Sequence, residues 1–299
     1  MAIYHLRTDR ITRRKGQSAV ASAAYYADEP LTDHRTGLHH VMPPRTGLLH
    51  REIVFPSGAC VATPWDRQRL WNAVEAREKR KDSLVALLWF VALPQELSIA
   101  DAAGLARSFA DALIKRWGCV IDLTVRDTSS QNRVGYLLTT THRFDGNFLG
   151  EQIDFVANAQ IRYNRGIETS QRSDLLAIRS LWAEMVNAAL AAAGFSARVD
   201  HRSLKDQGFN LIPQSHLGSI VARRTRRGED MDNKTGSVDR DIYNAKQIMK
   251  QPDLIRRLLE SRGEPFDAQS ARRAIDRYVD DAPLREELYQ LVISGGEHR

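Results

Sequence analysis

A chain of 299 residues with 42% hydrophobic and 27% charged residues has the composition of a soluble globular protein, long enough for one large domain plus a small one. Its two cysteines, Cys60 and Cys119, exclude a disulfide framework, and the lack of any CxxC spacing argues against a zinc cluster; with no secretory leader pattern and no apolar run approaching the roughly 20 residues of a membrane span, a cytoplasmic location without membrane contact is expected. The net charge of +6 is unevenly spread: residues 229–299 hold 12 Lys+Arg against 15 Asp+Glu, leaving a clearly basic remainder, the pattern of a polyanion-binding body followed by a different module.

Residues 2–6 (AIYHL) read as a short strand. A basic turn follows, with Arg13, Arg14 and Lys15 before Gly16, then an Ala-rich helix through residues 17–26 that carries Tyr25 and Tyr26 and is bracketed by Pro30. Residues 32–50 read as a loop. Its His34, His39 and His40 lack the spacing of a known metal site, so none is expected there. Residues 49–55 (LHREIVF) form the next strand and residues 64–81 an amphipathic helix around Trp71. The run LVALLWFVAL at 84–93 is apolar throughout, the pattern of a strand buried on both faces. A long helix over 99–117 leads into two apolar runs, 120–125 and 134–141, separated by a polar segment and paired as a hairpin. On the second strand Val134 and Tyr136 are two apart and share a face. A turn at 143–146 follows.

An Ala-rich helix over 174–193 stops at Gly194. In VDHRSLKDQG (199–208) and PQSHLG (213–218), Asp200, His201 and His216 read as turn and capping residues. Arg223, Arg224, Arg226 and Arg227 make the densest basic run, suited to phosphate contact. Residues 229–238 read as a polar linker before helices over 241–262 and 267–292. No GxxxxGK[ST] occurs, so no ATP-driven motor is expected.

Three of these segments resemble the MobA/MobL (MobQ-class) conjugative relaxases, which nick plasmid DNA at a transfer origin. They are AIYHL…GQSAVASAAYY, the closing DHRSL…HLG, and PFDAQSARRAIDRYVDDAP, the last similar to the segment that leads into the helicase of TraA-type relaxases. The resemblance implies an α+β fold, a central antiparallel sheet flanked by helices over residues 1–228, with a small helical domain over 229–299. It places Tyr25 at the nucleophilic tyrosine of the family. It also implies a divalent metal on three histidines that polarises the scissile phosphate. Matched residue by residue, those three positions hold Arg126, Val134 and Tyr136; Asn132 is kept and Arg133 replaces a proline. Two acidic positions on the strand at 84–93 hold Leu88 and Phe90, and His5 matches a family histidine. No metal cofactor is therefore expected. The implied partner is single-stranded or hairpin transfer-origin DNA, with Arg13, Arg14, Lys15, Arg126, Arg133, Arg223, Arg224, Arg226 and Arg227 as candidate contacts. An intact relaxase or transfer accessory proteins are further candidate partners. Three readings stay open: DNA binding without metal-dependent nicking, metal-independent nicking through a Tyr25–DNA adduct, and a truncated remnant.

Overall fold

Five strands build one antiparallel sheet: β1 (Leu6–Thr12), β4 (Leu48–Val54), β5 (Leu84–Leu93), β6 (Ile121–Asp127) and β7 (Arg133–Thr140), in the order β1-β5-β7-β6-β4. Two short hairpins, β2 (Leu31–Asp33) with β3 (Leu38–His40) and β8 (His142–Phe144) with β9 (Leu149–Gln152), stand beside it. The computed structural model describes residues 3–43, 45–57, 64–128, 132–213 and 234–294, and it divides into two units, Met1–Phe195 and Ser196–Arg299. The α+β class and the antiparallel sheet agree with the expectation from sequence.

Register decides which side chains meet. Phe90 lies opposite Tyr136, and Ala92 opposite Val134. Arg126 lies opposite Val134, and Arg7 opposite Phe90. Directly opposed residues share a face, so Arg7, Phe90, Tyr136, Val134 and Arg126 all project from one side of the sheet. That side is covered by α1 (Ala19–Ala27) and α2 (Arg67–Arg77), whose Val20, Ala23, Ala24, Leu70 and Trp71 enter one buried cluster with Leu88 and Leu138. The opposite face receives α3 (Ile99–Trp117). There Trp89 stacks on Trp117 at 5.8 Å. Gly135 faces the same way, and a β-carbon on it would come within 2.9 Å of Val91 Cγ2.

Helix α5 (Gln171–Ala192) follows the short α4 (Ala159–Asn164). By length and composition α5 is apolar enough to cross a membrane, although charged residues interrupt its apolar run. In the structure it buries Ile178, Trp182, Val186 and Leu190, with Trp182 packed on Phe109 of α3 at 4.8 Å.

Several boundaries differ from the sequence reading. The first strand is Leu6–Thr12 rather than 2–6, because Arg10, Ile11 and Thr12 continue the pairing with β5 before the basic turn begins. The expected loop at 32–50 contains the β2–β3 hairpin. Its turn is set by Asp33, whose carboxylate accepts from Arg35 N at 2.9 Å and Thr36 N at 3.3 Å, and by Gly37 at φ +74°. The second helix is shorter than 64–81 because Asp66 caps it, accepting from Arg69 N at 2.7 Å.

In the second unit, α6 (Lys234–Lys250), α7 (Leu254–Ser261), α8 (Ala268–Tyr278) and α9 (Ala282–Ser294) replace two longer expected helices. Pro252 separates the first pair, and Val279–Asp281 the second. Lys234–Val238, expected in a linker, belong to α6; the rest of that segment lies outside the described residues. The division at 195/196 precedes the expected 228/229 because Phe209 and Leu211 pack into the helical core with Ile248, Ile255 and Tyr278.

One buried ion pair ties α2 to the sheet. Arg67 donates to Asp122 at 2.7 and 2.9 Å, and Trp71 Nε1 donates to the same carboxylate at 3.0 Å. Asp122→Ala strands the indole N–H and leaves the buried Arg67 guanidinium with Glu29 as its remaining carboxylate, and a loss of about 3 kcal/mol in urea unfolding is expected.

Candidate functional site

Tyr25 and Tyr26 lie in the last turn of α1, and the start of that helix fixes where they fall. Ser18 caps it, accepting from Ala21 N at 3.3 Å. Glu75 of α2, almost fully buried, accepts from Ala19 N at 2.7 Å. The small side chains Ala19, Ala23, Ala24 and Ala27 let α1 lie close on the sheet. Tyr25 is 43% exposed, while Tyr26 is half-buried beneath it.

The aromatic rings form a continuous chain across the sheet face. Tyr25 meets Tyr26 edge-on at 5.0 Å, Tyr26 lies 4.8 Å from Tyr136, Tyr136 meets Phe90 at 5.4 Å, and Phe90 meets His5 at 5.1 Å. Two guanidinium groups flank the chain: Arg45 lies 3.9 Å from the Tyr25 ring centre and Arg7 lies 5.5 Å from that of Phe90. Burial pushes the Tyr26 phenol up to about 12, with the neighbouring Tyr136 and Tyr25 adding to the effect. Burial likewise raises Tyr136 above the ordinary phenol value.

The residues at the family's three ligand positions come together on this face but do not fit a divalent cation. Val134 offers no lone pair, and the half-buried Tyr136 phenol resists deprotonation. Arg126 offers only donors. Its Nη2 donates to Asp28 Oδ2 and its Nη1 to the Thr46 carbonyl at 2.9 Å. Among the described residues no group of three or more His, Cys, Asp or Glu gathers as a cation site. His39 instead shares a hydrogen bond with Thr32 at 2.9 Å, and His34 lies 3.3 Å from Gln68.

Arg45 and Arg126 converge on Asp28, the C-cap of α1. Arg45 reaches Oδ1 at 2.6 and 2.8 Å and also donates to the Tyr25 carbonyl. Burial alone would raise the Asp28 carboxyl, but hydrogen bonds from Arg126 and Arg45 hold it below the usual carboxylate range. Between α1 and the β2–β3 hairpin opens a cavity of about 390 Å³ lined by Ser22, Tyr25, Tyr26, Arg35, His40 and Met42.

The other expected contacts are scattered. Arg13 belongs to the scaffold, because its guanidinium donates to the Glu75 carboxylate and carbonyl at 2.6 Å each and to the Glu78 carbonyl at 2.7 Å. Arg14 and Lys15 are exposed. Arg133 projects from the opposite face to Val134, pairing with Asp127 at 3.2 Å and donating to the Leu97 carbonyl at 2.8 Å. Arg223, Arg224, Arg226, Arg227 and His216 lie outside the described residues. Asp200 accepts from the Arg202 guanidinium at 2.7 Å and from its N–H at 2.8 Å, as a turn residue would; His201 lies 3.9 Å away. Sequence reasoning missed Arg45, Arg7 and Asp28. The available signal was an acidic residue, rather than glycine, directly after the tyrosine helix.

The half-buried Tyr26 gives a direct check. Its folded pKa lies above the unfolded one, so its contribution to stability is complete below about pH 10 and is lost as pH rises through about 12. Tyrosinate absorbance titration is expected to show a late-ionising tyrosine that disappears in Tyr26→Phe.

The description of the matching family model is MobA/MobL, and the match covers residues 17–227. The chain is 31% identical to the mobilization protein MobL of Acidithiobacillus ferridurans over 92% of its own length and 77% of that protein. It is 27% identical to the conjugal transfer protein TraA of Rhizobium radiobacter over 98% of its length, but spans only 29% of that relative. A solved structure described as the molecular basis of vancomycin resistance transfer in Staphylococcus aureus matches with a TM-score of 0.58 and 26% identity, covering 68% of this chain and 100% of that one. With a match spanning most of the chain, and a central antiparallel sheet flanked by helices as the family resemblance implies, the protein belongs to the MobA/MobL family.

Proposed function

We propose that this protein acts in conjugative plasmid transfer as a DNA-binding member of its family, holding single-stranded or hairpin transfer-origin DNA without metal-dependent nicking. One observation carries the reading. The family's ligand positions are filled by Val134, a Tyr136 packed between Tyr26 and Phe90, and an Arg126 already paired with Asp28, while Tyr25 stays exposed at the rim. An exposed aromatic ring flanked by arginines is what single-stranded bases and phosphates bind. The exposed Arg14 and Lys15 and the basic run at 223–227 add sequence-blind phosphate attraction. In this role the protein works in the cytoplasm beside an intact relaxase or other transfer proteins, without membrane contact.

A second reading is favoured by Arg45 lying against Tyr25. Guanidinium groups can stabilise charge on a transferring phosphoryl group, so a metal-independent reaction is admissible. In it the Tyr25 oxygen bonds to phosphorus, the phosphorus–O3′ bond breaks, and the phenolic proton ends on the released 3′-hydroxyl.

Labelled single-stranded oligonucleotides spanning a transfer origin of the same genetic element, incubated with Mg²⁺ or Mn²⁺ and separately in EDTA, separate the readings. Binding that weakens by about 0.7 log units per tenfold salt for each phosphate contacted is expected, with no covalent band on a denaturing protein gel. A band in EDTA that Tyr25→Phe abolishes establishes the second reading. A band that requires metal overturns both. Binding no better than that of an unrelated protein of equal charge leaves the remnant reading.

A further inference from the structure

Asp28 stands where an aspartate is unfavourable on two counts. It is the single non-glycine residue with positive φ among the described residues, at +50°, a conformation unfavourable for an L-residue. Its carboxylate also sits at the C-terminal end of α1, against the negative end of the helix dipole. Two arginines from separate parts of the chain offset this. Arg45 takes Oδ1 and Arg126 takes Oδ2, so each oxygen of one small anion has its own guanidinium. Arg126 is nearly fully buried, and the remaining charged neighbours are arranged around other acceptors: Arg51 donates to the Ala27 carbonyl at 2.7 Å and lies 3.8 Å from Glu29.

Two guanidinium forks converging on two oxygens is also the arrangement that grips a phosphodiester by its non-bridging oxygens. We propose that Arg45 and Arg126 form a binding site for a backbone phosphate of single-stranded DNA, closed in the free protein by Asp28, whose carboxylate the phosphate displaces. The site adjoins Tyr25, whose carbonyl already accepts from Arg45. Exchanging one anion for another keeps Arg126 paired, so the buried charge is never left alone. The intrinsic affinity is reduced by the fraction of molecules in which Asp28 holds the arginines. The choice of DNA as ligand rests on the function proposed above; the two-arginine anion site does not.

The test uses the full chain as wild type, Asp28→Asn, Asp28→Gly and Arg45→Gln, with two readouts. In thermal unfolding both Asp28 variants are expected to melt below wild type in plain buffer, because Arg126 is left buried without its carboxylate. Added pyrophosphate restores them, at a half-effect concentration about tenfold lower than any effect on wild type. In titrations with a thymine oligonucleotide, both bind about five- to tenfold tighter, with a log–log salt slope steeper by about 0.7. Arg45→Gln, at a more accessible residue, binds more weakly with a shallower slope, and it keeps the proposal testable if the Asp28 variants do not fold. Unchanged pyrophosphate response and unchanged salt slopes overturn the site. Wild type that binds DNA with Asp28 variants no different sinks the site and leaves the proposed function standing. A pyrophosphate response in Asp28→Asn with no oligonucleotide binding by any form sustains the anion site and removes the DNA reading.

Discussion

The buried carboxylate of Glu75 is the anchor on which the tyrosine face depends. From α2 it accepts the first N–H of α1 at 2.7 Å, the Arg13 guanidinium at 2.6 and 3.0 Å, and the Arg35 guanidinium at 3.3 Å. One side chain thus fixes the start of the tyrosine helix, the basic turn before it and the β2–β3 hairpin after it. A carboxylate at a helix N-terminus answers both the unpaired N–H groups and the positive end of the dipole. With that end fixed, nine residues of helix deliver Tyr25 and Tyr26 over the centre of the sheet.

What those tyrosines meet is an apolar surface rather than a cluster of lone pairs. Tyr136 and Phe90 are cross-strand partners, so their rings touch because of the register itself. Once these two rings occupy the face, Tyr26 can pack on them and Tyr25 on Tyr26. Each contact is worth roughly 0.5–1.5 kcal/mol beyond its buried area, and the chain of them stiffens the floor of the site. Beside these rings on the same face stands Arg126. Its charge is kept in the interior by Asp28, which faces it across the end of α1, and by the Thr46 carbonyl.

The sequence disclosed what local patterns control and missed what distant partners control. The run at 84–93 and the helix at 99–117 match β5 and α3 residue for residue, since uninterrupted apolarity and a clean amphipathic period leave little choice. The shared face of Val134 and Tyr136 followed from the two-residue repeat alone. Strand β1 was misplaced because LRTDRIT shows polar residues on an edge, and its pairing with β5 sets its extent. Arg13 read as a free cation because Glu75, its partner, is 62 positions away. Asp28 carried no signal in the local pattern because its arginines lie 17 and 98 positions off.

The pairing of Phe90 with Tyr136 also constrains what either position can become. A carboxylate at 90 would face the Arg7 guanidinium across the strands but lose the ring contact with Tyr136, and an imidazole at 136 would lose the packing of a phenol between Tyr26 and Phe90. Because register sets the two rings against each other, a substitution at one position is felt at the other, and the pair changes at low cost only together.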